Sequence, residues 1–342
     1  MTHFEQEIRE QPAVLRHILQ DAAIKEVAEK LKTEDISLIL TLARGSSDNA
    51  VTFFVYLAGQ YLGLPVASLP PSLFSVYAST MKLGSALVVG VSQSGESSDV
   101  VKGLELLTGA GAKSLAISNN AQSSLAKIAS YHLEQNAGHE QAVAASKTFL
   151  SQMMVMACLV AHWSGSRDLQ LALEKVPEAL QTIIDHQEGI ERAALRLTHA
   201  ESAYILGRGL SYGPSQELAL KLKETSYLHA QAYSSAEFQH GPIAAVDATD
   251  PIILLGLDDG TLESNILVAQ RLRDLDADLT ILSSNLKLLA FANAEIKLPA
   301  GHGATQAFEQ ILCGQLLALH LTQSKRLDPD QPRNLKKVTQ TM

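Results

Sequence analysis

Short runs of consecutive apolar residues alternate with stretches in which apolar positions recur every three or four residues. The opening is of the second kind. Phe4, Ile8, Val14, Leu15, Ile18 and Leu19 repeat at helical spacing, with Pro12 as the expected break, and a second helix is expected through Ala23 to Leu31. Ser37 to Leu42 then reads as a strand that stops at Arg44-Gly45, and helix resumes through Tyr56 and Tyr61. Further strand-like runs lie at Ala86 to Val91, Lys113 to Ile117, Ala203 to Leu206, Ile252 to Leu255 and Leu279 to Leu282. Thr148 to Thr198 is helical almost throughout, and a last long helix covers Thr305 to Leu321. Uninterrupted apolar strands alternating with helices specify parallel sheets covered on both faces.

The pattern occurs twice. Leu42-Ala43-Arg44-Gly45-Ser46-Ser47 matches Leu206-Gly207-Arg208-Gly209-Leu210-Ser211 at an offset of 164 residues, and Phe74 meets Phe238 at the same offset. A period this long means two copies of one α/β domain; solenoid repeats run ~20–50 residues. The expected organisation is N-terminal helices over 1–34, a first domain over 35–165, a helical linker over 166–199, a second domain over 200–325 and a C-terminal tail over 326–342.

Composition narrows the function classes. Hydrophobic residues make up 46% and charged residues 18%, which excludes intrinsic disorder. A net charge of −9 leaves no global basic footprint for nucleic acid or anionic lipid. Any anionic ligand must therefore be held by local geometry. The two cysteines, Cys158 and Cys313, sit in apolar runs outside any CxxC pair, so a reduced, cytoplasmic setting is expected. The N-terminus lacks a signal-peptide apolar stretch. The longest apolar run, Met153 to Trp163, has 11 residues. A membrane span needs ~20, so a core helix or an interface helix between subunits is expected, the interface being favoured.

The segment richest in candidate chemistry is Ser92-Gln93-Ser94-Gly95-Glu96-Ser97, between the strand Ala86 to Val91 and the helix Val100 to Leu107. Hydroxyls, an amide and backbone N–H groups at a helix N-terminus can hold a phosphate without a basic side chain. The bland reading is a Ser-rich turn with a good N-cap. The matching loop of the second half, Leu257-Asp258-Asp259-Gly260, would repel a phosphate, so one phosphate site per chain is expected. In its place the second half offers Glu217, Lys221 and Glu224 on one helical stripe. That stripe is either a solvated salt-bridge ladder or the seat of a general base. His240, before Gly241-Pro242, is either structural or catalytic. No metal or cofactor motif emerges. Gly109 to Ser114 reads as a turn before a strand, and Gly207-Arg208-Gly209 lacks the third glycine of a dinucleotide loop.

These segments together resemble the double sugar-isomerase (SIS) domain family, which includes the isomerase half of glucosamine-6-phosphate synthase and free-standing deaminases. The resemblance rests on Glu7-Ile8-Arg9-Glu10-Gln11-Pro12, Arg44-Gly45-Ser46-Ser47, the Ser92 to Glu96 loop and Val143-Ala144-Ala145-Ser146-Lys147. It continues through Leu220 to Glu224, Glu237 to Pro242 and Asp330 to Lys337. It implies two tandem SIS domains, each a doubly wound, flavodoxin-like parallel sheet flanked by helices. Ser92, Gln93, Ser94 and Ser97 would hold a 6-phosphate, with Ser47 nearby; Ser46, Val143 and Ala145 would touch the sugar. Glu224 would move a proton between C1 and C2, and Glu217 would contact the sugar or orient the site. Lys337, on the tail, would sit over the open-chain sugar and form an imine with a keto group. His240 would help open the ring, supplied by the neighbouring subunit of a homodimer. The family's turn is often Ala-Ser-Thr-Lys; Ala145 removes a hydroxyl there, and His139 is unusual in its loop.

A glutamine-hydrolysing segment with a terminal cysteine is not expected here, and that expectation favours isomerisation, alone or with loss of an amine. The expected activity is conversion of glucosamine 6-phosphate to fructose 6-phosphate and ammonia, without cofactor, metal, nucleic acid or membrane. The alternatives are a deglycase for fructosamine 6-phosphate, a galactosamine-6-phosphate relative, another aldose–ketose phosphosugar isomerase and a non-enzymatic sugar-phosphate sensor.

Overall fold

The computed structural model describes residues 1–337, so the last five positions of the expected tail lie outside it. The chain forms two compact units. The first comprises Ala13–Glu140 and Lys147–Glu174; the second comprises Met1–Pro12, Gln141–Ser146 and Lys175–Lys337. Helix α1 (His3–Leu19) runs across the division at Pro12. The expected break at Pro12 does not occur. Proline inside a helix costs about 3 kcal/mol. Phe4, Ile8, Leu15 and Ile18 are all buried along α1, and four large apolar side chains at roughly 1.5–3 kcal/mol each outweigh that cost.

The first unit continues with α2 (Ala22–Lys32), β1 (Leu38–Leu42), α3 (Ser46–Leu62), β2 (Val66–Ser68), α4 (Ser72–Ser75), β3 (Ala86–Val91), α5 (Ser98–Gly109), β4 (Lys113–Ser118), α6 (Ser124–Ile128) and β5 (Tyr131–Glu134). Helices α7 (Lys147–Ser164) and α8 (Arg167–Glu174) complete it. All strands are parallel, in the order β2-β1-β3-β4-β5. Every residue of β3 is buried, as a central strand covered on both faces requires. Helix α7 is buried from Lys147 to Ala161 and packs on α2, α3 and α8 of its own unit. Its apolar run is thus satisfied within the chain, and the expectation of an interface helix is corrected on that ground.

The second unit carries α9 (Val176–Asp185), α10 (Glu188–Arg196), β6 (Ser202–Gly207), α11 (Tyr212–Ser226), β7 (His229–Ser234), β8 (Pro251–Leu255), α12 (Leu262–Asp274), β9 (Asp278–Ser283), α13 (Leu286–Leu289), β10 (Ala294–Lys297) and α14 (Gly303–Ser324). Its sheet, again all parallel, runs β10-β9-β8-β6-β7. Counted within each unit, both sheets have the strand order 2-1-3-4-5, the flavodoxin-like arrangement. The sequence repeat is therefore a repeat of topology. Among the described residues no helix is long and apolar enough to cross a membrane.

Both cysteines are buried, and burial pushes the Cys158 thiol up to about 12 and that of Cys313 up as well. Such thiols stay protonated and unreactive. Helix α14 also buries Glu309, whose Oε2 meets no hydrogen-bond partner and whose carboxyl burial pushes up to about 8. A carboxyl raised in the folded state favours folding in its protonated form. That contribution is complete below the unfolded value of 4.5 and is lost as pH rises through about 8. The loss at about pH 8 is on the order of 4 kcal/mol. Glu309→Gln removes this dependence. Thermal denaturation of both proteins at about pH 5 and about pH 8 should show the variant gaining on the parent as pH rises; a pH-independent difference refutes it.

Candidate functional site

In an open sheet of order 2-1-3-4-5, the connections from the carboxyl ends of strands 1 and 3 leave in opposite directions and open a crevice. In the first unit these are the Arg44 to Ser47 turn between β1 and α3, and the Ser92 to Ser97 loop between β3 and α5. Gly45 has φ +55 and Gly95 has φ +69, conformations that side chains disfavour. A Cβ on Gly95 would lie 2.2 Å from Ser123 Oγ.

The loop is tied down from below. Ser92 N donates to Ile117 O, Asn119 N to Gln93 O at 3.0 Å and Leu125 N to Gly95 O at 3.0 Å. Gln135 Nε2 donates to Ser92 O at 3.1 Å. Within the loop, Ser92 Oγ accepts from Gly95 N and Ser94 Oγ from Glu96 N, each at 3.2 Å. Beneath Gly95, the Ser118 hydroxyl bonds Ser123 Oγ at 3.1 Å and His132 Nε2 at 3.0 Å. Burial holds His132 below its ordinary value, so the ring is neutral at pH 7.

Two acidic side chains here are held by local partners. Glu96 accepts from Ser124 Oγ at 2.7 Å and Ser124 N at 2.9 Å, and these bonds hold it below the usual carboxylate range. Asp99, buried in the first turn of α5, takes Arg44 at 2.6 Å. Helix α5 begins at Ser98, and Val101 N donates to Ser97 O at 2.9 Å. Ser97 is the N-cap residue yet makes no side-chain cap bond. Ser47 and Ser92 are buried at the crevice. An open cleft of about 570 Å³ adjoins the loop, lined by Gln93, Asn119, Asn120, Glu134 and His139 among others.

The second unit carries the other candidates. On α11, Glu217 and Lys221 are 1% exposed, whereas the Glu224 side chain is 21% exposed. Lys221 Nζ lies 3.4 Å from Glu217 Oε1 and donates to Glu224 Oε2. The stripe is thus no solvated ladder. It is a buried ammonium between two carboxylates, of which Glu224 alone reaches the unit's surface. Sequence reading gave Lys221 no role of its own, although its spacing already placed it between the two acids.

The Gln141–Ser146 segment is also built into this unit. The Glu7 carboxylate accepts from Gln141 N and Ala142 N, and Gln315 Nε2 donates to Ser146 O at 3.2 Å. Ala142 and Ala144 face inward while Val143 and Ala145 are half-exposed, the positions expected to touch a sugar. Lys337 joins them, donating from Nζ to Ala142 O at 2.7 Å. Its tail is anchored upstream at Tyr227, the left-handed residue that ends α11 at φ 58. The Tyr227 hydroxyl accepts from Arg333 N at 3.0 Å, and the Arg333 guanidinium stacks 4.5 Å from the ring. His240 ends a 3-10 turn, Glu237–His240, and is exposed. In the loop between β8 and α12, Asp259 accepts from Thr261 N and Oγ1, and Asp258 accepts from Asn285 Nδ2.

The family model for the SIS domain matches residues 38–162 and 196–322. The glutamine–fructose-6-phosphate aminotransferase (isomerizing) of Gloeobacter violaceus is 33% identical over 97% of this chain and 57% of the relative, so the chain spans little more than half of that protein. A Silicibacter pomeroyi structure, provisionally described as a phosphosugar isomerase, superposes with a TM-score of 0.87 at 33% identity, covering 96% of this chain and 100% of that one. The glucosamine-6-phosphate deaminase of Thermotoga maritima shares the fold, with a TM-score of 0.80 at 21% identity over 99% of this chain and 100% of that one.

Gly95→Ala tests the loop's construction. The close approach to Ser123 and the positive φ together should cost roughly 2–4 kcal/mol, seen as a lower urea midpoint at unchanged slope. An unchanged midpoint would show that the loop has room to spare.

Proposed function

Because the chain belongs to the SIS domain family, we propose that it is a cytoplasmic, homodimeric phosphosugar isomerase working at C1 and C2 of a 6-phosphosugar. Its proposed reaction is glucosamine 6-phosphate plus water giving fructose 6-phosphate and ammonia. Ser92, Gln93, Ser94 and Ser97 hold the 6-phosphate, with Ser47 beside them, and the N-terminus of α5 supplies the favourable field. Ser46, Val143 and Ala145 touch the sugar. His240 of a neighbouring copy moves the anomeric proton to the ring oxygen, opening the ring. Glu224 takes the C2 proton and delivers it to C1; the C2 imine that results adds water and releases ammonia. Lys337 sits over the open-chain sugar and forms a reversible imine with the keto group of the ketose, releasing water as it forms and taking water back to free the ketose and the amine. Glu217 holds Lys221, and Lys221 holds Glu224.

The observation that carries the reading is the Glu217–Lys221–Glu224 set. Burying an ammonium and a carboxylate at 1% exposure is costly for stability alone, and the arrangement aims one carboxylate outward. The absence of a hydroxyl at Ala145 favours a second reading, removal of an amine from a fructosamine 6-phosphate, because a neighbouring contact to the sugar is altered. Release of ammonia and fructose 6-phosphate from glucosamine 6-phosphate, assayed beside galactosamine, N-acetyl and fructosamine 6-phosphates, separates these.

Two substitutions test the roles. Glu224→Gln should retain phosphosugar binding and lose proton transfer by ~10²–10⁴-fold. Deuterium exchange at C2 at the parent's rate would remove Glu224 from the reaction. Ser94→Asp puts like charge into the helix N-terminal pocket and should abolish competition by inorganic phosphate; persistent competition would place the phosphate elsewhere.

A further inference from the structure

Helix α1 buries two polar side chains on the same face as Phe4 and Ile8. Glu7 is 4% exposed and Gln11 is 0% exposed. The Glu7 carboxylate accepts from the backbone of Gln141 and Ala142, and Gln11 Nε2 donates to Gln315 Oε1, whose amide in turn donates to Ser146 O. The two ends of one six-residue segment are thus fixed from one helix face. The carbonyl of Ala142, whose own N–H is bound by Glu7, accepts the Lys337 ammonium. The tail also returns to the start of α1. The Asp330 carboxylate accepts from His3 N at 2.6 Å and Phe4 N at 2.9 Å, a favourable place for negative charge. All of these groups lie in the second unit.

We infer that Glu7 is a positioning residue for Lys337: its carboxylate fixes the Gln141–Ser146 segment, and through Ala142 that segment fixes the ammonium. The catalytic consequence rests on the role proposed above for Lys337. The geometric part does not. An amine that must meet a carbonyl carbon loses rate steeply with small displacements; a shift of about 1 Å can cost roughly 100-fold. Glu7→Gln is nearly isosteric but turns one of the two acceptor oxygens into a donor facing backbone N–H groups.

The test uses the full chain and two readouts. Hydrogen exchange followed by mass spectrometry reads the amides of Gln141 and Ala142, with α11 and α14 as internal controls of folding. Steady-state kinetics on the best 6-phosphosugar reads kcat against KM. In Glu7→Gln the two amides should exchange at least about tenfold faster with the control helices unchanged. The kcat should fall roughly 10- to 100-fold with KM within about threefold. Exchange at the parent's rate, or an unchanged kcat beside accelerated exchange, overturns the inference. If the parent turns over no 6-phosphosugar while the exchange difference is present, the proposed activity falls and the clamp stands. Should Glu7→Gln fail to fold, Asp330→Asn, which weakens the same strap from the tail side, is judged by the same readouts and the same outcomes.

Discussion

A parallel sheet buried on both faces has nowhere to keep polar chemistry except the ends of its strands. The candidate loops of the first unit follow from that constraint. Within β1, β3 and β4 nearly every side chain is spent on the core. The turns at their carboxyl ends carry the serines, the amides and two acids held by local partners. On the proposed reading, the same constraint lets a chain of net charge −9 hold an anion. The positive field comes from backbone N–H groups at the start of a helix, and nearby carboxylates are occupied by Ser124 and Arg44.

The second sheet obeys the same constraint with different contents. Its loop after β8 holds Asp258 and Asp259 where the first has serines, and both acids are absorbed by local bonds to Asn285 and Thr261. The second unit instead buries charge on α11, where Lys221 lies between two carboxylates. One topology thus carries two arrangements: a serine-rich loop at a helix start, and a helix that buries a lysine between two carboxylates.

Central strands and the long helices were readable because continuous apolar runs mark them. The edge strands β2, β5, β7 and β10 were not, since each is short or half-exposed and lacks such a run. Pro12 misled because local propensity was outweighed by burial on both sides of it. The run in α7 misled because a sequence shows that a helix must be covered without showing by what. The stripe on α11 was visible as spacing, but its burial was not: three residues on one face can look to water or to the core. Glu7 and Gln11 were legible in principle, since both fall on the apolar face defined by Phe4, Ile8, Leu15 and Ile18. A polar residue on such a face is a signal in itself.

Tyr227 ends α11 in a conformation that glycine adopts without strain and tyrosine does not. The cost of a left-handed non-glycine residue is roughly 1–2 kcal/mol. Glycine there would make a more comfortable helix end and would leave Arg333 with neither a hydroxyl to bond nor a ring to stack on. The helix that carries Lys221 and its two carboxylates therefore terminates in a compromise made on behalf of a different segment. Local stability at this corner is set by a distant part of the chain, so a stabilising change chosen for the helix alone would act against the tail.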